Sequence, residues 1–396
     1  MKLWQIHDSL DSRVESFTTG LDPQLDHELI PYDCAASMAH VNMLSSIGII
    51  TMEEASDLKD KLHEIVELHS EGKFIIRPDQ EDGHTAIEDY LVDKLGDTGK
   101  KVHTGRSRND QVITAVRLFE IESLNRICQL TESLSEKFNE FGASWTNTPL
   151  PGYTHTRKAM PFTVGDWAFA FRDALKDDLT LIRATLDVLD QNPLGTGAGY
   201  GVPLPLDRRM TTELLGFSRV MENPMYAQNS RGKFEARILN DCLMVLYDLN
   251  KFATDVIFFS LPELGYFSLD KALVTGSSIM PHKQNPDVLE LVRAAYHQVA
   301  GYEYQVKNIP LNLISGYHRD LQLTKEPIIR GIHAVLDVLA IIPVAVSGIK
   351  VHTDQLNDSM TDELKSVQKV MELVKSGMPF RDAYRIIAQK YKKENP

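Results

Sequence analysis

Residues 238–259 read ILNDCLMVLYDLNKFATDVIFF, and the order of their apolar positions decides the fold class. Ile238, Cys242, Val245, Leu249, Phe252, Val256 and Phe259 follow one another at alternating spacings of four and three. An α-helix turns once in about 3.6 residues, so this spacing gathers them on one face; a strand would divide them between two. The same rhythm runs through Val288, Val292, Ala295, Val299, Tyr302 and Val306. Weaker stripes pass through Val112, Val116, Phe119, Ile127, Leu130 and Leu134, and through Val164, Trp167, Phe171, Leu175, Ile182, Leu186 and Leu189. A fifth follows Lys325 through Ile328, Ile332, Leu336 and Leu339, with Pro343 as an expected kink.

Helices of roughly 20–30 residues are about 30–45 Å long, well beyond the usual length. Five of them predict an all-α protein with a long central helix bundle over residues 106–355. Two smaller helical domains, residues 1–105 and 356–396, are expected to flank it. Apolar stripes on long helices commonly continue across subunits, so a homo-oligomer is expected.

Composition narrows the function. The net charge of −13 argues against nucleic acid and anionic membranes as partners, because both demand a basic face. It leaves room for a small polyanionic substrate in a local basic pocket. Cys34, Cys128 and Cys242 stand far apart with no CxxC pair, which speaks against a disulfide framework or zinc site and for a reducing compartment. The N-terminal MKLWQIHDSLDSR lacks the apolar core of a signal peptide. The most apolar stretch, Ala334 to Ile349, carries Asp337 and Pro343 and reads as a buried core helix. The expected location is the cytoplasm.

The segment most concerned with chemistry is TGSSIMPHKQNPDVLE, Thr275 to Glu290, just before a strongly periodic helix. Turn chemistry needs neither Met280 nor Lys283. A loop with a serine, backbone N–H groups and a lysine can wrap a carboxylate and present a base to the carbon beside it. A serine hydroxyl is a poor base unless a cation and oriented amides stabilise its alkoxide, and Lys283 with the local amides can supply that field. In Gly105-Arg106-Ser107-Arg108-Asn109-Asp110 the two guanidinium groups suit bidentate carboxylate binding; the plainer reading is a capped helix start. Gly195-Thr196-Gly197-Ala198-Gly199 imitates a dinucleotide fingerprint, but a helical segment ending in Asn192-Pro193 precedes it, not the strand of a βαβ unit. Glu81-Asp82-Gly83-His84 has no second histidine at ligand spacing, so no metal is expected.

The string GSSIMPHKQNP resembles the signature loop of the fumarase–aspartase superfamily, whose members eliminate fumarate from succinyl-type substrates. KVHTGRSRNDQV (Lys101 to Val112), GYTHTRKAMP (Gly152 to Pro161) and GYHRDLQLTKE (Gly316 to Glu326) resemble its argininosuccinate lyase branch. Further similar segments are PYDCAASMAH, LGTGAGYG and PFRDAYRII, so the resemblance spans nearly the whole chain. It implies a fumarase/aspartase-like fold, a homotetramer with active sites shared between subunits, and no cofactor.

Residue by residue, the resemblance implies Ser277 as the base that removes the Cβ proton, with Lys283 and Asn285 stabilising charge on the adjacent carboxylate. It implies His155 in proton transfer with the leaving group and Glu290 as the carboxylate that raises its basicity; the acid and base roles of Ser277 and His155 can also be exchanged. Ser107, Arg108, Asn109, Thr154, Ser278 and Arg231 fall in the substrate-binding blocks, while Tyr317, Gln322 and Lys325 match residues that hold the amino-acid end.

Several positions depart from the family pattern. Thr154-His155-Thr156-Arg157 replaces a Thr-His-Leu-Gln run, and His282 stands where glutamine is usual. Phe17-Thr18-Thr19-Gly20 lacks a substrate-binding serine, and Ala227-Gln228-Asn229-Ser230-Arg231-Gly232 lacks the usual acids. The chain is also short for the family. The expected activity is elimination of argininosuccinate to arginine and fumarate, a step of arginine biosynthesis. The alternatives are the same elimination on an N-acylated argininosuccinate, or a lyase acting on adenylosuccinate or aspartate. A binding protein that reuses the fold without activity is a further class. It would have no need of Ser277, Lys283, Asn285, His155 and Glu290 together.

Overall fold

The computed structural model describes residues 11–77 and 79–394, so the first ten residues of the N-terminal stretch read above lie outside it. The fold is an all-α helical bundle; its strands are short and occur in three two-stranded pairs among the described residues. The five long stripes are the helices Arg108–Ser144, Val164–Leu189, Lys233–Phe259, Asp287–Asn308 and Lys325–Ser347. All seven positions of the founding stripe, Ile238 to Phe259, are buried.

Pro343 does not end its helix, which continues to Ser347. The stretch Arg319–Ser347 contains an 18-residue window of mean hydropathy 1.9, apolar and long enough by composition to cross a membrane. Its Ile328, Ile332, Val335, Leu339, Ile342 and Val346 are buried within the protein, as the core-helix reading expects.

The chain divides into two compact units, and each long helix supplies residues to both. The first unit comprises residues 1–128, 181–242 and 298–334. In it, helices Asp22–Ser46, Met52–Ser70 and Gly83–Leu95 close around Ile30, Cys34, Leu44, Leu58, Leu62, Ile65 and Leu91. Thr51 starts the second of these with a capping box: its hydroxyl accepts from the Glu54 N–H at 3.1 Å while the Glu54 carboxylate accepts from the Thr51 N–H at 3.0 Å.

The second unit comprises residues 129–180, 243–297 and 335–396, and aromatic rings form its core. Trp167 stacks on Phe252 at 5.7 Å, with Phe138, Phe171, Phe259 and Phe267 around the two rings. The indole N–H of Trp167 donates to Asp255 at 2.9 Å, so its one polar atom is satisfied inside the cluster. Helices Arg108–Ser144 and Val164–Leu189 approach closely at Gly142 and Gly165. A Cβ on Gly165 would lie 2.7 Å from the Gly142 carbonyl oxygen, so only glycine fits there.

The hairpin of Pro149–Thr154 with Arg157–Thr163 leaves no period-two pattern in the sequence and was not expected. Prolines 149, 151 and 161 hide it, because they are atypical of strands and tolerated only where no ladder N–H is needed.

Candidate active site

In the first unit, a cavity of about 420 Å³ gathers Ser107, Arg108, Asn109, Arg231, Tyr317, Gln322 and Lys325, seven of the sequence-predicted binding residues. Three separate stretches of sequence therefore meet on one wall. Arg106, Arg319, His103, Val112, Asp22 and Asp82 complete the lining; of these, only Arg106 was read from sequence as a carboxylate ligand. Arg319 was nevertheless present in the motif quoted for its neighbours. Five cationic side chains against two carboxylates in the lining make a basic pocket in an acidic protein.

Most of these cations are already anchored. Arg108 donates to Glu81 at 3.1 Å, to Asp82 at 2.9 Å and to the Thr85 hydroxyl at 3.0 Å. Arg319 bonds the other oxygen of Glu81 at 3.0 Å and the Thr18 carbonyl at 2.7 Å. Lys325 is buried between Asp26 at 2.5 Å and Asp22 at 2.9 Å. Burial works to discharge it, yet the two carboxylates outweigh that and hold its pKa above the ordinary lysine value. Burial raises the Asp22 carboxyl, against the pull of Lys325. Arg231 donates to the Leu321 carbonyl at 3.1 Å and lies 5.5 Å from the centre of the Tyr317 ring. Gln322 donates to the carbonyls of Thr18 and Thr19, which tie the end of helix Ser12–Thr19 to the cavity. Gly20 follows with φ +56°, and a Cβ there would point to within 3.9 Å of the Gln322 amide nitrogen.

Behind the wall, Asp110 joins two motifs that look unrelated in sequence. Its buried carboxylate accepts from the N–H of Ser107 at 2.8 Å, and from those of Gly195 at 3.0 Å and Gly197 at 2.9 Å. Burial raises its pKa and these bonds oppose that. The glycine-rich loop is thus a packing element whose amides read a carboxylate of the protein itself. His84 is buried against Asp33, and Arg106 donates to Ser37 at 2.9 Å. Burial alone would neutralise His84, but Asp33 keeps it raised toward imidazolium. Burial, helped by Arg106, pushes His103 down to about 4, so it faces the cavity as neutral imidazole.

The second unit carries the residues expected to move protons. Thr275 and Asn285 pair as an antiparallel bridge, with N–H to carbonyl distances of 3.0 and 2.8 Å, which pins both ends of the serine loop. At its tip the Ser277 hydroxyl oxygen accepts from the N–H of Met280 at 3.1 Å and of Ile279 at 3.4 Å. These are the oriented amides that a serine alkoxide requires. Ser278 is exposed beside it. Lys283, Asn285 and Glu290 line a cavity of about 350 Å³ floored by Ile257, Leu261 and Pro286.

Thr154 ends the first hairpin strand, and His155 and Thr156 form its two-residue turn, with φ of 51° and 56°. Both are exposed, and the His155 ring has no hydrogen-bond partner among the described residues, Glu290 included. A β-branched residue in the left-handed region is strained. Thr156→Gly is therefore expected to raise stability by about 1 kcal/mol, read as a higher unfolding midpoint. An unchanged or lower midpoint would show that the turn carries no such strain.

A family model described as a lyase matches residues 5–301. The argininosuccinate lyase of Thermotoga neapolitana is 51% identical over 99% of this chain and 99% of its own length. That of Sorangium cellulosum is 41% identical over 98% of this chain and 90% of its own length. Among solved structures, a class II fumarase from Schistosoma mansoni is 16% identical and covers 99% of this chain and 91% of its own, with a TM-score of 0.83. An EDDS lyase in complex with formate is 23% identical, covers 96% and 76%, and has a TM-score of 0.79. The structural likenesses concern the fold; the sequence likenesses, at high identity over nearly the whole chain, establish that this protein belongs to the argininosuccinate lyase family.

Proposed function

We propose that this protein eliminates fumarate from argininosuccinate and releases arginine, acting as a carbon–nitrogen lyase of arginine biosynthesis. What carries the reading is the basic cavity of the first unit, where seven residues of three family blocks converge. Arg231, Tyr317, Gln322 and Lys325 hold the arginine end through its carboxylate and ammonium. Ser107, Arg108 and Asn109 meet the succinyl end.

The Ser277 alkoxide, held by two amides and by the charge of Lys283, takes the Cβ proton. The electrons left on that carbon delocalise into the neighbouring carboxylate, and Lys283 and Asn285 bear the resulting charge. The Cα–N bond then breaks, its electron pair goes to the guanidino nitrogen, and His155 supplies the proton that completes arginine. Glu290 is the carboxylate partner of a His155 supplied by a neighbouring subunit, since among the described residues the two are not bonded within one chain, and Thr154 and Ser278 contact substrate.

The active form is a homotetramer with sites shared between subunits, in the cytoplasm. Its support is the apolar surface left on the long helices: Leu291 is 70% exposed and Tyr304 67%, with Leu181, Tyr247 and Val344 also in the open. Adding argininosuccinate and following fumarate by its ultraviolet absorbance tests the reaction. Fumarate and arginine in equal amounts are expected, and no fumarate would overturn the assignment. A monomer by sedimentation at micromolar concentration would overturn the tetramer alone.

A further inference from the structure

We propose that Tyr153 and Lys158 are positioning residues for His155: together they form a rung that clamps the strained turn from both strands and fixes where the imidazole is presented. This rests on the reading of His155 as a proton-transfer residue.

His155 and Thr156 both stand in the left-handed region, at φ 51° and 56°, where a side chain is unfavourable. Such a turn persists only where its surroundings over-determine it. The His155 ring has no hydrogen-bond partner among the described residues, so the backbone that carries it sets its place. Behind the turn Thr154 pairs with Arg157, and behind them Tyr153 pairs with Lys158. Between Pro151 and Tyr153 the register shifts, so the ladder is interrupted just past this rung.

Both members of the rung are tied by their side chains to the body of the second unit. The hydroxyls of Tyr153 and the buried Tyr266 hydrogen-bond at 3.0 Å, and the Tyr153 ring meets Phe258 edge-on at 5.1 Å. Lys158 donates from Nζ to the Ser359 carbonyl at 2.8 Å, at the end of helix Thr353–Asp358. A cation suits the carbonyl end of a helix. The two anchors belong to one platform. The Tyr266 carbonyl accepts at 2.9 Å from the N–H of His352, which starts that helix, and strand Phe267–Leu269 pairs with Ile349–Val351. One strand of the hairpin is thus held at Tyr266 and the other at Ser359.

His155 lies two residues beyond the rung, about 7 Å of extended chain. Catalytic groups must be held to within about 0.5 Å, and a misplacement of about 1 Å can cost about 10²-fold in rate. Freeing either strand lets the tip wander on that scale while the hairpin stays formed.

The test is steady-state turnover of argininosuccinate, followed by fumarate release, in Tyr153→Phe, Lys158→Met and Lys158→Arg. Phenylalanine keeps the ring and removes only the hydroxyl; arginine keeps a donor for the Ser359 carbonyl. Tyr153→Phe and Lys158→Met are each expected to lower kcat roughly ten- to thirtyfold with KM changed less than about twofold, and Lys158→Arg to recover most of the loss. The pH profile of kcat should keep its shape. A limb lost from that profile in Lys158→Met would make Lys158 a proton-transfer group and overturn the positioning role. A lower unfolding midpoint with kcat per folded molecule unchanged would make the rung merely structural, which also overturns it.

Hydrogen exchange read by mass spectrometry over residues 149–163 follows the clamp without turnover. Faster exchange confined to that stretch in Tyr153→Phe and Lys158→Met, and returned toward the wild-type rate in Lys158→Arg, is expected. Exchange unchanged in both variants overturns the clamp whether or not fumarate is formed. Wild-type protein that makes no fumarate overturns the reading of His155 and the role toward it, while faster exchange in the variants would still uphold the clamp.

Discussion

Ser277→Ala is expected to lower kcat by about 10²–10⁴, the range typical of a lost acid–base group. KM should move little, because the residues proposed to grip the substrate lie in the cavity formed by residues 107–109, 231 and 317–325. The fold should survive. The loop is closed by backbone bonds between Thr275 and Asn285, which the substitution leaves alone. What disappears is an acceptor for the N–H groups of Met280 and Ile279, and both lie in an exposed segment where water can replace it. The stability change should therefore stay within about 1 kcal/mol. Turnover near the wild-type level would remove Ser277 from the mechanism and make His155 the principal proton acceptor. An equal collapse of kcat and of the unfolding midpoint would mean that the loop is structural.

The parts of this protein that were legible in sequence are those where one periodicity acts over many residues. The stripe from Ile238 to Phe259 could be read because every one of its positions faces a core. The hairpin at Pro149–Thr163 could not, since three prolines disrupt its strand signal and its turn uses histidine and threonine where glycine or asparagine would be expected. Short motifs pointed to Arg108, Tyr317 and Lys325 as candidates, and the three share one cavity, but the motifs did not show what each would lean on. Asp22, Asp26 and Glu81 are ordinary acids on the page, and only folding brings them against Lys325, Arg108 and Arg319. Asp110 shows the same limit. A helix-cap reading was available from its position, but its bonds to Gly195 and Gly197 cross 85 and 87 residues of chain. Pairings of that separation leave no local trace.

Lys325→Met is expected to reduce stability by about 3–5 kcal/mol near neutral pH, the largest structural effect anticipated for a single substitution in the cavity. Methionine keeps much of the length and apolar stem, so packing changes little; what is lost is the cation between Asp26, which is buried, and Asp22, which is half-buried at the cavity wall. The pH dependence distinguishes this cause from a packing defect. Burial already holds the Asp22 carboxyl above its ordinary value, and removing Lys325 removes the pull that opposes burial. A carboxyl raised in the folded state carries its penalty above its folded pKa and sheds it as the pH falls toward the unfolded value of about 3.9. The gap between variant and wild type should accordingly narrow on acidification. At the other end, Lys325 is itself raised in the wild type, so its contribution is complete below about pH 10.4 and declines as the pH climbs through its folded value. Unfolding midpoints in urea, measured for both proteins from acid to alkaline pH, provide the check. Adding Asp22→Asn to the methionine variant should recover part of the loss, because it removes one of the carboxylates left without a cation. A deficit constant across pH, or one that Asp22→Asn deepens, would show that Lys325 supports the wall by volume and not by charge.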